Sequence, residues 1–447
     1  MKPTSLRRFS RSLIVTAMIV LVCLGAVAQT TDRVAKSDTS LLALSISEVS
    51  PSTIQISSSP VTVEIYGTNF LTGSVARVNG IPQVTTYLSG TALQASIDPS
   101  FLGRLRELKL TVANGKAHSS PYIVTVYRVI PIEASALVYD AVGKRLYASL
   151  PASASHNPNT VVSINPATGA VGTPINVGND PQRLAISDDG QYLYVALNGD
   201  NTIRRIVLKT RTIDRTFPVP VDPTYGQTTA EYVSVVPGFP QLLVAALFRS
   251  ASPAEDGVAL YNDSGLANWL VNDFENRYPS VDSFTFAGNP PVVYAVPFTV
   301  PTSFFQIYTV SESGITAVSA GLSNQYENAT IASDGKLLYV ADGSVWDPET
   351  QKEIDAIQPP LFYPVCLIPD ANLARTFFLD EFSSNGVSVK SYSQTTLTLH
   401  GSVSFPSFYP PDVFALNRWG ANGFAFQVGN FIPTPQSNQL ILFKSSI

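Results

Sequence analysis

Five tyrosines, Tyr232, Tyr278, Tyr326, Tyr363 and Tyr409, recur at spacings of 46, 48, 37 and 46 residues, each just before an apolar run. An exposed tyrosine presents a flat apolar ring and a polar hydroxyl tip, a combination suited to stacking on sugar rings or gripping a peptide. If each sits in the loop that leads from one repeat into the next, the rings converge on one face around a common axis. Arg277 and Glu231 precede two of them and add charged contacts; Tyr232, Tyr278, Tyr326, Tyr363, Tyr409 and Arg277 form the candidate ligand-binding set. Asp180 and Pro181 hold the corresponding place in an earlier repeat. The same recurrence arises if each ring wedges between neighbouring repeats, and spacing alone does not separate the two.

Residues for bond-breaking chemistry are sparse. The three histidines, His118, His156 and His400, are too widely spaced to form a recognisable triad or metal site, and there is no GxSxG elbow for a serine nucleophile. Asp188 with Asp189, and Asp200 beside Asn198 and Asn201, have the oxygen donors that calcium takes, but Asp and Asn also dominate turns for backbone reasons. No cofactor and no metal are expected, and no catalytic residue is singled out. The SFF and FPSFYPP stretches, if exposed, would offer an apolar patch to a partner.

The elements that must position these residues are strands. Charged residues make up 14% of the chain, against roughly 25% in an average globular protein, and Val, Thr, Ser, Tyr and Phe are plentiful, a bias toward β structure. Lys2, Arg7, Arg8 and Arg11, an apolar run over 13–24 and Ala26-Val27-Ala28 follow the order of a secretory signal peptide, with cleavage expected after Ala28. The run is short of the ~20 residues that span a bilayer, so no stable membrane insertion is expected after cleavage. Beyond residue 28 there are 24 basic and 33 acidic residues, a net charge of 24 − 33 = −9. That charge disfavours nucleic acid as a partner. Only Cys366 remains, which excludes an intramolecular disulfide, and its apolar setting in VCLI reads as core.

Two periodicities divide the remainder. After a leader over 29–44, residues 45–127 show short alternating strands broken by Gly, Pro and Asn turns, as in a β-sandwich. The segments SISEVSPST, VEIYGTNF, VARVNG and VANGKAHSSPYIVTV resemble the IPT/TIG family of immunoglobulin-like domains. Gly67 and Gly80 are expected at turns needing positive φ, with Phe70 as a plug between sheets.

Over 129–447 the period lengthens. The segments YDAVGKRLYAS, ISDDGQYLYVA and IASDGKLLYVA, and more loosely VVPGFPQLLVAA and TFAGNPPVVYAV, are variants of one hairpin. Their turn glycines, Gly143, Gly190, Gly238, Gly288 and Gly335, lie 47, 48, 50 and 47 residues apart. Such a period indicates propeller blades, and further units near Leu373 and Gly420 make seven. The phrasing resembles the YVTN family of extracytoplasmic β-propeller repeats. The expected fold is all-β, an Ig-like β-sandwich followed by a seven-bladed β-propeller. The run VYRVIPI at 126–132 is expected to pair with the C-terminal run QLILFKSS and close the ring.

These expectations point to an exported, non-catalytic binding or scaffold protein. A polysaccharide, peptide or envelope protein would be held on the tyrosine-bearing face. The alternatives are a lactonase-like or other hydrolytic propeller, for which clustered buried carboxylates at the channel mouth would speak, and a purely structural surface module.

Overall fold

The computed structural model describes residues 43–447 apart from 251–254, 272–282, 297–302, 325–329, 358–363, 381–385, 407, 409–412 and 429–438. The described chain is nearly all strand; its one α-helix is the turn Pro99–Leu102. Among the described residues no helix is long and apolar enough to cross a membrane, which says nothing about strands. The expected signal peptide and most of the leader lie outside the described residues.

The N-terminal part pairs strands Ser45–Ser50, Val61–Thr68, Ala92–Ile97 and Val84–Ser89 in one antiparallel sheet. Strands Val75–Val78, Arg106–Asn114 and Tyr122–Pro131 build a second. Inward residues alternate with outward ones, so Val63, Ile65, Leu93, Leu108, Leu110 and Val124 meet in one core with Phe70 among them. Asn79 and Gly80 both take positive φ, 49° and 84°, and form the tight hairpin expected of that pair. Gly67 does not: Asn69 carries the left-handed conformation instead, at φ 62°. Gly67 is required by close approach, since a Cβ there would stand 2.0 Å from the Ser45 carbonyl oxygen and 2.7 Å from the Phe70 ring.

From residue 136 onward, four-stranded antiparallel meanders follow one another. The first is Ala136–Asp140, Arg145–Leu150, Thr160–Ile164 and Ile175–Asn176; the second Pro181–Ile186, Tyr192–Leu197, Thr202–Val207 and Thr212–Pro218. The third runs Gly226–Val235, Leu243–Arg249, Glu255–Asn262 and Gly265–Val271, with Val221–Asp222 added beside its first strand. The fourth, fifth and sixth begin at Ser283–Ala287, Ile331–Ser333 and Pro364–Asp370. Each expected hairpin glycine lies in the turn between the first and second strands of its sheet. Gly190, Gly238, Gly288 and Gly335 have positive φ there, whereas beside Gly143 it is Lys144 that does, at 53°.

The seventh set joins the C-terminal strands to the strand that leads into the first sheet. Val413–Trp419, Gly423–Val428 and Gln439–Lys444 are completed by Tyr122–Pro131, with Arg128 opposite Leu442 and Ile130 opposite Leu440. That is the closing pair expected from the sequence. The first half of Tyr122–Pro131 belongs to the N-terminal sheet and the second half to this last one, so the expected junction at 127–129 falls inside one continuous strand. Glu107 reinforces it, accepting hydrogen bonds from Ser445 Oγ at 2.7 Å, Ser446 N at 2.8 Å and Ser446 Oγ at 2.9 Å.

Successive sheets stack face to face, and each gives alternate residues to two cores. Tyr194 and Ala196 pack toward the third sheet, while Leu193, Val195 and Leu197 pack toward the first. This explains why the LYV runs are apolar throughout: they form second strands covered on both faces. The last such core, with Leu146, Ala148, Trp419 and Ala425, returns from the seventh set to the first sheet. Arg205, almost wholly buried, is held within the second sheet by Asp214 at 2.7 Å and ties that sheet to the third through Asp263 at 2.6 Å. In the FPSFYPP stretch, Phe405 and Phe408 are 1% and 3% exposed and pack on Tyr127 and Phe426, so these two rings belong to the core and not to a surface patch.

Candidate functional site

The first strands of the second and third sheets are bulged where they border a cavity of about 800 Å³. In Gly226–Val235, Ala230 pairs with Leu247 and Tyr232 with Ala246, leaving Glu231 as the extra residue. A bulge re-aims side chains locally, and here both Glu231 and Tyr232 line the cavity, in line with Gln227 and Thr229 two residues apart on the same strand. A second bulge between Pro181 and Leu184 brings in Arg183. Asn198 and Asn201 enter from the turn after Tyr192–Leu197, and Phe248 and Arg249 from the end of Leu243–Arg249.

Glu231 organises the wall. Its Oε1 accepts from Asn198 Nδ2 at 2.9 Å and from Thr229 Oγ1 at 3.1 Å, and its Oε2 lies 3.6 Å from Arg183 Nη2. Arg183 is 48% exposed, so that ion pair contributes little stability and leaves the guanidinium accessible. With Asn198 Nδ2 committed, its buried Oδ1 makes no hydrogen bond. The wall thus offers a ligand a cation and two aromatic rings, with the Asn198 amide behind them.

Tyr232 lies in a strand and not in the expected loop, because the first strand of the third sheet is ten residues long and extends past it. Its ring is half-buried and meets Phe284 of the fourth sheet edge-on at 4.9 Å. Burial, and next the proximity of Cys366, raise its hydroxyl pKa, with Arg183 opposing. It therefore wedges between two sheets and lines the cavity as well. Tyr278, Tyr326, Tyr363, Tyr409 and Arg277 lie outside the described residues. Cys366 is partly buried against the core of the sixth and seventh sheets.

Beneath the cavity sits a cluster that spacing did not reveal. Arg249, with no exposed side-chain surface, holds Asp256 Oδ1 at 2.9 Å and Asp222 Oδ2 at 3.7 Å and stacks on Tyr225, its Cζ 3.8 Å from the ring centre. Burial first, and the charge of Asp222 second, push the Asp256 carboxyl up to about 7, against the pull of Arg249. Burial also opposes ionisation of Asp222, but the Tyr225 and Thr224 backbone N–H groups, a hydrogen bond with the Asp256 carboxyl and the charge of Arg249 together hold that carboxyl below the usual range.

The remaining expected donors serve turns. Asp189 accepts from Ser187 Oγ and Gln191 N, Asp188 from Gly238 N, and Asp200 from Asn179 N and Arg204. Asp180 accepts from Ala152 N and Gln182 Nε2. His118 and His400 lie in separate strands and His156 in the loop between Arg145–Leu150 and Thr160–Ile164, all exposed. Among the described residues no group of three or more His, Cys, Asp or Glu could hold a metal ion.

No family model matches the chain, and no curated protein does. The solved structures that resemble it include the following two. Hydrazine synthase of Kuenenia stuttgartiensis is 10% identical over 60% of this chain and 78% of its own, with a TM-score of 0.44. Dihydro-heme d1 dehydrogenase NirN, in complex with DHE, is 13% identical over 71% of this chain and 66% of its own, with a TM-score of 0.45. The described residues form a nearly all-β fold of many sheets.

Proposed function

We propose that this is an exported binding protein without catalytic activity, which holds a polysaccharide at the cavity between its second and third sheets. In this reading residues 1–28 are a signal peptide, 45–127 an Ig-like domain of IPT/TIG type and 129–447 a seven-bladed propeller. The interleaved cores and the closing pair of Tyr122–Pro131 with Gln439–Lys444 support the blade reading. The observation that carries the binding reading is the cavity wall: Tyr232 and Phe248 rings beside Arg183, Asn198 and Glu231, a mixture of stacking surface and hydrogen-bonding groups that suits sugar hydroxyls.

A hydrolytic reading draws on the buried Asp222 and Asp256. Their oxygens face Arg249 and backbone N–H groups, and neither residue lines the cavity. Glu231, the carboxylate that does, is held by Asn198, Thr229 and Arg183, which suits ligand orientation better than proton transfer.

Affinity electrophoresis of residues 29–447 against envelope and plant polysaccharides tests the proposal. Retardation by at least one glycan is expected, and it should be lost in Asn198→Ala and in Tyr232→Ala. Absence of retardation by every glycan, or equal retardation of folded variants, overturns it.

A further inference from the structure

A second cavity, of about 510 Å³, lies where the segment leading into the first sheet meets the loop between Arg145–Leu150 and Thr160–Ile164. Its walls are mainly apolar, with Ile132, Leu150, Val162 and Val171, and its polar groups converge at one end on Glu133, Ser155 and His156. Mostly apolar pockets of this size with a few convergent polar groups are the usual form of small-molecule sites.

Glu133 gives the pocket its chemistry. Its Oε1 accepts from Ser155 Oγ at 2.8 Å and its Oε2 from Ser155 N. The single Ser155 hydroxyl proton is thereby used, so the contact at 2.9 Å between Ser155 Oγ and His156 Nδ1 has the imidazole as donor. Two neutral donors satisfy part of the carboxylate, and no lysine or arginine among the described residues forms an ion pair with it. A carboxylate accepts about four hydrogen bonds, and one placed at an apolar wall without a cation favours a ligand that brings its own.

We infer that this pocket is a binding site for a small cationic amphiphile, an ammonium group on a compact apolar body, with the ammonium on Glu133 and the body against Ile132, Leu150, Val162 and Val171. His156, fixed through Ser155, marks the polar end and reports occupancy. The Ser155 hydroxyl gives its proton to Glu133 and not to the imidazole, an order that makes this a recognition cluster and not a serine–histidine nucleophile.

The test titrates phenethylamine into the full chain from residue 29 and follows the imidazole Hε1 resonances, one for each of the three histidines. His156 is assigned by His156→Gln. A saturable shift of the His156 resonance is expected, with those of His118 and His400 unmoved. Glu133→Gln should raise the Kd tenfold or more, the scale of one lost charge-assisted contact. Because Glu133 also pins the Ser155 loop, Val171→Lys provides a second arm. Val171 is 48% exposed and lines the same pocket, and a lysine there supplies the missing cation, so binding should again be lost. An unmoved His156 resonance up to millimolar amine, or undiminished binding in either folded variant, overturns the assignment.

Discussion

Replacing Asp256 by asparagine should make the protein more stable at pH 8, with a gain that shrinks steadily toward acid and vanishes only near pH ~4. In the unfolded chain the carboxyl releases its proton near 3.8, while burial and Asp222 keep it on Asp256 up to about 7. Between those values the folded state binds the extra proton. Its contribution is therefore complete below pH ~4 and is lost as pH rises through ~7. About three pH units at ~1.4 kcal/mol each set the full loss at about 4 kcal/mol, an upper bound because the pair with Asp222 titrates jointly and the site can relax. Asp222, with its carboxyl held low, has the opposite sign, but its contribution is lost only in acid below this window. Asparagine keeps an oxygen for Arg249, which still faces the Asp222 carboxylate. Urea midpoints at pH 5, 6, 7 and 8, followed by tryptophan fluorescence, provide the assay, since Trp269 Nε1 donates to the Asp256 carbonyl at 3.2 Å. The parent should lose stability with rising pH and Asp256→Asn should show a flatter profile. A parent that gains stability from pH 5 to 8, or a variant weaker at every pH, would refute the assignment and make Asp256 an obligatory charged partner of Arg249.

Removing the last eight residues deletes most of Gln439–Lys444 and leaves Arg128–Pro131 and Gly423–Val428 with unpaired edges; aggregation or rapid proteolysis should follow, and a monomer as resistant as the parent would contradict the closing role. Glu107→Ala removes the acceptor for three donors of Ser445 and Ser446, which should cost about 1–3 kcal/mol and speed carboxypeptidase trimming; unchanged trimming would show that the clasp is idle. Phe443 is fully buried, stacked on Phe424 at 5.0 Å and edge-on to Phe405 at 5.0 Å; Phe443→Ala should cost about 3–5 kcal/mol, read as a lower thermal midpoint, and a shift of only a degree or two would mean that the core collapses around the gap.

Local sequence determined what local physics controls. Asn79-Gly80 specifies a hairpin because both residues tolerate positive φ, and Gly190 and Gly335 mark strand reversals for the same reason. Apolar runs such as LYV declared strands covered on both faces, and the unpaired apolar runs near residue 130 and the C-terminus declared their pairing. Side chains that meet only through register and bulges were not legible. The bulge at Glu231 turns both Glu231 and Tyr232 to one cavity, which no spacing of tyrosines encodes. Asp222, Arg249 and Asp256 come from three strands, and the effect of Asp222 on the Asp256 carboxyl exists only once burial removes water from between them. Gly67 was legible as a necessary glycine but for another reason, since the carbonyl that excludes a Cβ there belongs to a strand more than twenty residues away. Turn conformations and periodicity are properties of a few consecutive residues, whereas cavities and shared protons depend on the positions of distant strands, and only the tertiary structure sets those.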